Sequence, residues 1–184
     1  IYLWMPSLEK GETVNMKKQL EFFKKTEAWL IIGITAIGFG GLFAWISYIA
    51  PLLINVSKFS EGDVSSILVL AGLGMVVGNF AGGKLADKFS PAPTTLALLF
   101  VMSIDLILVY FFSSNQYVSL FLTFLTGCIS FSVIAPIQML MIRTAKGAEM
   151  IASAALQGSF NIGNALGAFL GGLPLTAGYS YASP

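Results

Sequence analysis

Apolar residues gather into five long runs, at residues 28–54, 64–83, 94–112, 118–142 and 150–173. A helix of about 20 mostly apolar residues crosses the hydrocarbon of a bilayer, so each run predicts one spanning helix. The connections at 55–63, 84–93, 113–117 and 143–149 are short and polar. Links of that length force neighbouring helices to run antiparallel. The predicted fold class is therefore an all-α membrane protein, an up-and-down helix bundle with five spans. Pro51 and Pro136 fall inside runs or near their ends, where a missing N–H kinks or loosens a helix.

Composition supports lipid as the solvent. Hydrophobic residues make up 56% of the 184 residues and charged residues 10%, against about 25% charged in a soluble domain. The net charge of +1 gives no global field that would attract nucleic acid. Cys128 is the single cysteine and there is no histidine, which excludes an internal disulfide and a His/Cys metal site. No cofactor is expected. The chain starts at Ile1, and the stretch 1–6 reads as the end of an apolar segment cut short, with 179–184 as a loop leading onward. The expectation is a fragment, although processing could also leave Ile at residue 1.

Charge sets the expected orientation. Nine of the ten Lys and Arg residues precede the first run or lie in the second and fourth connections; Lys58 alone lies in the first connection. Positive residues favour the cytoplasmic side, so the linker and the loops 84–93 and 143–149 are expected there. Residues 1–27 would be the close of a preceding helix plus a cytoplasmic linker, and 28–184 the bundle. Within the linker Met16, Leu20 and Phe23 follow i, i+4, i+7 spacing among lysines. That pattern suits a helix lying on an anionic leaflet; a solvated linker is the plainer alternative.

Small residues suggest how helices pack. Gly74, Gly78 and Gly82 recur every four residues, as do Gly163, Gly167 and Gly171. Such stripes allow close backbone approach where lipid gives helices no hydrophobic drive; they could also serve as sliding faces. Polar stripes carry more functional information. Ser153, Gln157, Asn161 and Asn164 share one face of the fifth run. Ser119, Thr123, Thr126 and Ser130 form another on the fourth, extended by Gln138, and Gly41, Ala44, Tyr48 and Asn55 share a face of the first. Three such faces predict a hydrated cavity, with interhelical hydrogen bonding as the alternative. The candidate solute contacts are Tyr48, Gln138, Gln157 and Asn161, whose amides and phenol offer both donors and acceptors. Asp105 is the one acid well inside a run. A carboxyl at that depth is a candidate proton carrier, or else a structural group.

Two segments resemble a known family. Gly83-Lys84-Leu85-Ala86-Asp87-Lys88 resembles the G-x-L-A-D-[RK] signature of the major facilitator superfamily, which lies between the eighth and ninth of its twelve helices. Ala135-Pro136-Ile137-Gln138 and the stretch from Phe160-Asn161 to Gly171-Gly172 are similar to helices ten and eleven of its bacterial drug:proton and sugar-efflux antiporters. Ser47-Tyr48-Ile49-Ala50-Pro51 resembles the end of helix seven. The resemblance spans the close of helix six to the loop before helix twelve. Two departures stand out: Ser90-Pro91-Ala92-Pro93 follows where the signature continues with Gly and basic residues, and Ala168 stands where an antiporter glycine motif has proline.

The resemblance implies an alternating-access carrier of two six-helix bundles, lacking here its N-terminal half and final helix. It places Asp105 on peripheral helix nine, away from the cavity. It makes Gly83, Asp87 and Lys88 parts of a conformational latch. The expected function is export of a small drug-like or sugar solute by proton antiport in a bacterial inner membrane, with lipid, solute, protons and the other half as partners. Solute uptake, or a receptor or assembly role on the same fold, are the alternatives. No nucleophile–base pair, metal cluster or phosphate loop points to an enzyme.

Overall fold

The computed structural model describes residues 16–184, so the expectations for residues 1–15 lie outside the described residues. α1 (Met16–Leu20) and a 3-10 turn (Glu21–Lys24) lead into α2 (Thr26–Pro51), which passes into a π-helical turn (Leu52–Val56). α3 (Glu61–Phe89), α4 (Pro91–Phe112), α5 (Gln116–Ser132), α6 (Ile134–Ala145) and α7 (Glu149–Thr176) follow, with no strand among the described residues. Each of the five apolar runs is helical. Four units are long and apolar enough to cross a membrane: Thr26–Val56, α3, α4 and Gln116–Ala145. α7 is not among these four. It has 28 residues, roughly 42 Å at 1.5 Å per residue, so length suffices for a crossing, but Gln157, Asn161 and Asn164 dilute its apolar character.

Proline placement explains where the helices break. Pro136 has no N–H to give the carbonyl of Ser132, and its ring crowds that carbonyl. The fourth run accordingly splits at Val133, between α5 and α6. Pro51 likewise ends regular α2 geometry, and the chain widens into the π turn, closed by Ser57 N to Leu52 O at 3.1 Å. The expected loop 84–93 is corrected: Lys84–Phe89 are the last turns of α3, and Pro91 starts α4. The connection is Ser90 alone, at φ 73, ψ 146. Nothing before Ser90 breaks a helix, whereas a residue preceding proline is held out of the α region and proline is well suited to a helix's first position.

The glycine stripes lie at the two tightest helix pairs, α3 with α5 and α2 with α7. A Cβ at Gly74 would sit 2.2 Å from Phe124 O, at Gly78 1.9 Å from Cys128 O and at Gly82 2.0 Å from Ser132 O. From the other side, one at Gly127 would sit 2.4 Å from Ala71 O. On α7, a Cβ at Gly163 would meet Ala36 O at 2.9 Å and one at Gly167 would meet Gly40 O at 2.2 Å. Gly171 faces Ala44 and Tyr48. Backbone carbonyls, not flexible side chains, fill the space that larger residues would need. α4 turns Leu96, Phe100, Ile104, Ile107 and Phe111 outward, a stripe suited to lipid.

The linker differs from the expected single amphipathic helix. It is a short α-helix followed by a 3-10 turn. Phe22, outside the Met16–Leu20–Phe23 stripe, is its buried apolar residue, while Met16 and Leu20 stay exposed. Gln19 Oε1 accepts from Ile151 N at 3.2 Å, tying the linker to the start of α7.

Candidate functional site

The three polar stripes do not meet in one cavity. Ser119, Thr123, Thr126 and Ser130 are all buried inside the bundle. Ser119 Oγ bonds Ser57 Oγ at 2.8 Å, Thr126 Oγ1 reaches Asp105 Oδ2 at 2.6 Å, and Ser130 Oγ lies 3.8 Å from Met102 Sδ. This face holds α5 to α4 and to the segment after the π turn, which corrects its expected place on a cavity wall. The α2 face is also spent on packing. The Leu106 side chain presses on Gly41 and Ala44 packs on Gly171, while Asn55 Nδ2 donates to Pro51 O of its own helix at 2.9 Å.

Tyr48 is half-buried, and its hydroxyl donates to Ala168 O at 2.9 Å. Ala168 lies eleven residues beyond Gln157 on α7, roughly 16 Å along a helix axis. Tyr48 therefore stands apart from the amides it was expected to join.

Gln138 and Gln157 do come together. With Ser153, Met141, Ile142, Leu156 and Phe160 they line a cleft of about 150 Å³ between α6 and α7. Local structure explains the meeting. The break at Val133 starts α6 afresh, and Gln138 follows Pro136 by two residues. Ser153 and Gln157 are one helical turn apart on α7, so their side chains stack on one face. The cleft floor is anchored to α2 by Phe160, whose ring packs edge-to-face on Phe39 with centroids 4.6 Å apart. The side chains of Gln138 and Gln157 are exposed and have no hydrogen-bond partner among the described residues. Asn161, a further turn along α7, is exposed and unpartnered too, but does not line the cleft. Phe160, Met141 and Ser153 escaped selection as site residues. Ser153 was legible from its stripe, whereas the apolar pair has no sequence signal that separates cleft from core.

Asp105 is 2% exposed, between α4 and α5. Its Oδ2 is bonded to Thr126 and its Oδ1 has no partner among the described residues. Thr126 Oγ1 also lies 2.8 Å from Leu122 O, so one hydroxyl hydrogen is shared between two acceptors. Asp105 does not line the amide cleft. Asp87 and Lys88 are exposed on the last turn of α3, and Asp87 has no hydrogen-bond or ion-pair partner among the described residues. Lys88 Nζ sits 5.0 Å over the neighbouring Phe89 ring, and Gly83 faces open space.

A bundle of long apolar helices joined through carbonyl-to-glycine contacts defines a multi-pass α-helical membrane protein. The comparisons make this specific: residues 2–172 match the Major Facilitator Superfamily, and the chain belongs to that family. It is 35% identical over 181 residues to AraJ of Escherichia coli (strain K12), covering 98% of this chain and 46% of AraJ. It is 31% identical over 182 residues to the inner membrane transport protein YdhP of the same strain, covering 99% of this chain and 46% of YdhP. A protein of Helicobacter pylori (strain J99 / ATCC 700824), named "Probable sugar efflux transporter", is 34% identical over 133 residues, 72% of this chain and 34% of that one. The chain thus spans about half the length of these relatives. No solved structure matches it.

Proposed function

We propose that this chain forms most of the C-terminal half of an alternating-access carrier that exports a small organic solute, a sugar or drug-like molecule, by proton antiport. The observation carrying this reading is the pair of exposed amides, Gln138 and Gln157, which bond no described residue and line one open cleft in a membrane-spanning bundle. Each therefore keeps its donors and acceptor free for a polar solute. The cleft, about 150 Å³, is smaller than the roughly 300–1,000 Å³ of a complete ligand pocket. That size suits one wall of a site completed by a second half. Asp105 is the one buried carboxyl among the described residues and takes the proton step in this reading. The test is solute-dependent proton flux in vesicles carrying the complete transporter. Flux should be present in the wild type and lost in Asp105→Asn, which keeps the shape but cannot carry the proton. Wild-type flux in that variant removes Asp105 from the proton path, and no flux in either removes antiport.

Orientation follows the distribution of Lys and Arg. The linker end of α2 and the end of α6 are neighbours, tied by Lys25 Nζ to Thr144 O at 2.7 Å, which gathers cations at one end of the bundle, proposed as the cytoplasmic one. In a Cys128→Ser background, an impermeant thiol reagent on intact cells should label Lys58→Cys and spare Lys146→Cys. The reverse pattern would invert the assignment.

Asp87, with Gly83 and Lys88 beside it, is proposed as a latch. A carboxylate next to a helix N-terminus gains roughly 0.3–1 kcal/mol. Carriers balance their two states within a few kcal/mol, so Asp87→Asn should slow transport about twofold to fivefold at unchanged expression. An unaltered rate would leave Asp87 an ordinary surface acid.

A further inference from the structure

Two hollows adjoin at the linker end of the bundle. The first is an open depression of about 600 Å³ lined by Lys25, Thr26, Glu27, Arg143, Thr144 and Lys146. The second, about 350 Å³, shares Glu27 and Thr144 with it and runs between α2, α4 and α6. Its walls are otherwise apolar, with Leu30, Ile34, Leu96 and Leu140 among them, except for Thr95. Thr95 is 2% exposed and its Oγ1 has no hydrogen-bond partner. Trp29, 57% exposed, sits beside this end with its indole N–H on Phe23 O at 2.8 Å.

We propose that the two hollows together hold one anionic glycerophospholipid. Three cations surround the basic depression against the single carboxylate of Glu27, so a lipid phosphate is favoured there over a neutral headgroup. An acyl chain fits the contiguous apolar groove. In the wall of the apolar groove, the Thr95 hydroxyl can donate to a glycerol-ester carbonyl, which would relieve the cost of an orphaned buried oxygen. Trp29 suits the interfacial layer where such a headgroup lies. Charge complementarity selects this occupant over a zwitterionic lipid or a peptide helix, which would leave the cations unmatched. The proposal rests on the membrane location of the chain and not on the proposed transport, and its test reads lipid retention rather than flux.

The experiment is native mass spectrometry of the purified protein in mild detergent, with phosphatidylglycerol and phosphatidylethanolamine of equal acyl length supplied together. Wild type should retain phosphatidylglycerol in preference. The triple variant Lys25→Gln/Arg143→Gln/Lys146→Gln should bind it about a hundredfold more weakly. The double variant Arg143→Gln/Lys146→Gln leaves the Lys25–Thr144 contact in place and should still lose about thirtyfold. Leu96→Trp, which fills the groove, should weaken retention of the lipid without touching any cation. A thermal melt in lipid-free detergent checks that each variant is folded. Equal retention of the two lipids, wild-type retention in the double variant, or no effect of Leu96→Trp overturns the proposal. Full displacement by millimolar glycerol phosphate would also overturn it, by showing a site for free phosphate.

Discussion

Gly78→Ala should be among the most damaging single-methyl changes available to this protein, lowering the stability of the purified protein by about 1–3 kcal/mol or more. The added Cβ would lie 1.9 Å from Cys128 O and 2.7 Å from the carbonyl carbon. Those atoms belong to the backbone of α5 and cannot swing aside, so α3 and α5 must separate. The separation propagates to Gly74 and Gly82, whose nearest neighbours are carbonyl oxygens of the same helix at 2.2 and 2.0 Å. It also disturbs Ser132 Oγ, which donates to Gly78 O at 2.9 Å. Helix pairs in lipid are held by close packing rather than by a hydrophobic drive, so little remains to compensate. Gly72→Ala on the same helix is the control, because a Cβ there meets nothing within 4 Å and alanine is the better helix former. The measurement is the thermal midpoint of both variants in detergent. A midpoint for Gly78→Ala at or above wild type would show that the α3–α5 contact is looser than its geometry implies.

The helices were legible in the sequence because lipid imposes a length and an apolarity that no soluble core demands. All five runs reappear as helices, and both prolines mark real departures from α geometry. The ends were less legible. Lys84–Phe89 read as a loop because they are polar, yet polar residues at a membrane helix end are simply the turns that emerge from the bilayer. The stripes were ambiguous for a deeper reason. Ser, Thr, Asn and Gln on one helical face serve equally to bond a neighbouring helix or to line a cavity, and periodicity fixes the face without saying what lies opposite. Thr126 and Ser119 found protein partners, while Gln138 and Gln157 did not. Chain length offers a partial discriminator: a short hydroxyl can be satisfied by the i−4 carbonyl, as Thr126 and Ser132 are, whereas a glutamine amide reaches past its own helix. The basic depression was invisible because Lys25 and Arg143 are 118 residues apart in the chain.

Gln157→Ala should weaken solute binding by the complete transporter about fivefold or more while leaving its melting temperature unchanged. The side chain is exposed and bonds no described residue, so its removal breaks no internal hydrogen bond, yet loss of a polar solute contact is worth about 1 kcal/mol or more. Gln138→Ala should behave the same way, since it shares the cleft. Tyr48→Phe should do the opposite. Its hydroxyl is committed to Ala168 O at 2.9 Å, an interhelical bond of a kind that averages about 0.6 kcal/mol in membrane proteins, so the variant should melt slightly earlier and bind normally. The paired readout of affinity and thermal midpoint separates a solute contact from a helix tie at each position. Normal solute affinity in both glutamine variants would sink the cleft as the binding site. A drop in affinity for Tyr48→Phe without loss of stability would move the site toward the far end of α7, which Tyr48 of α2 faces.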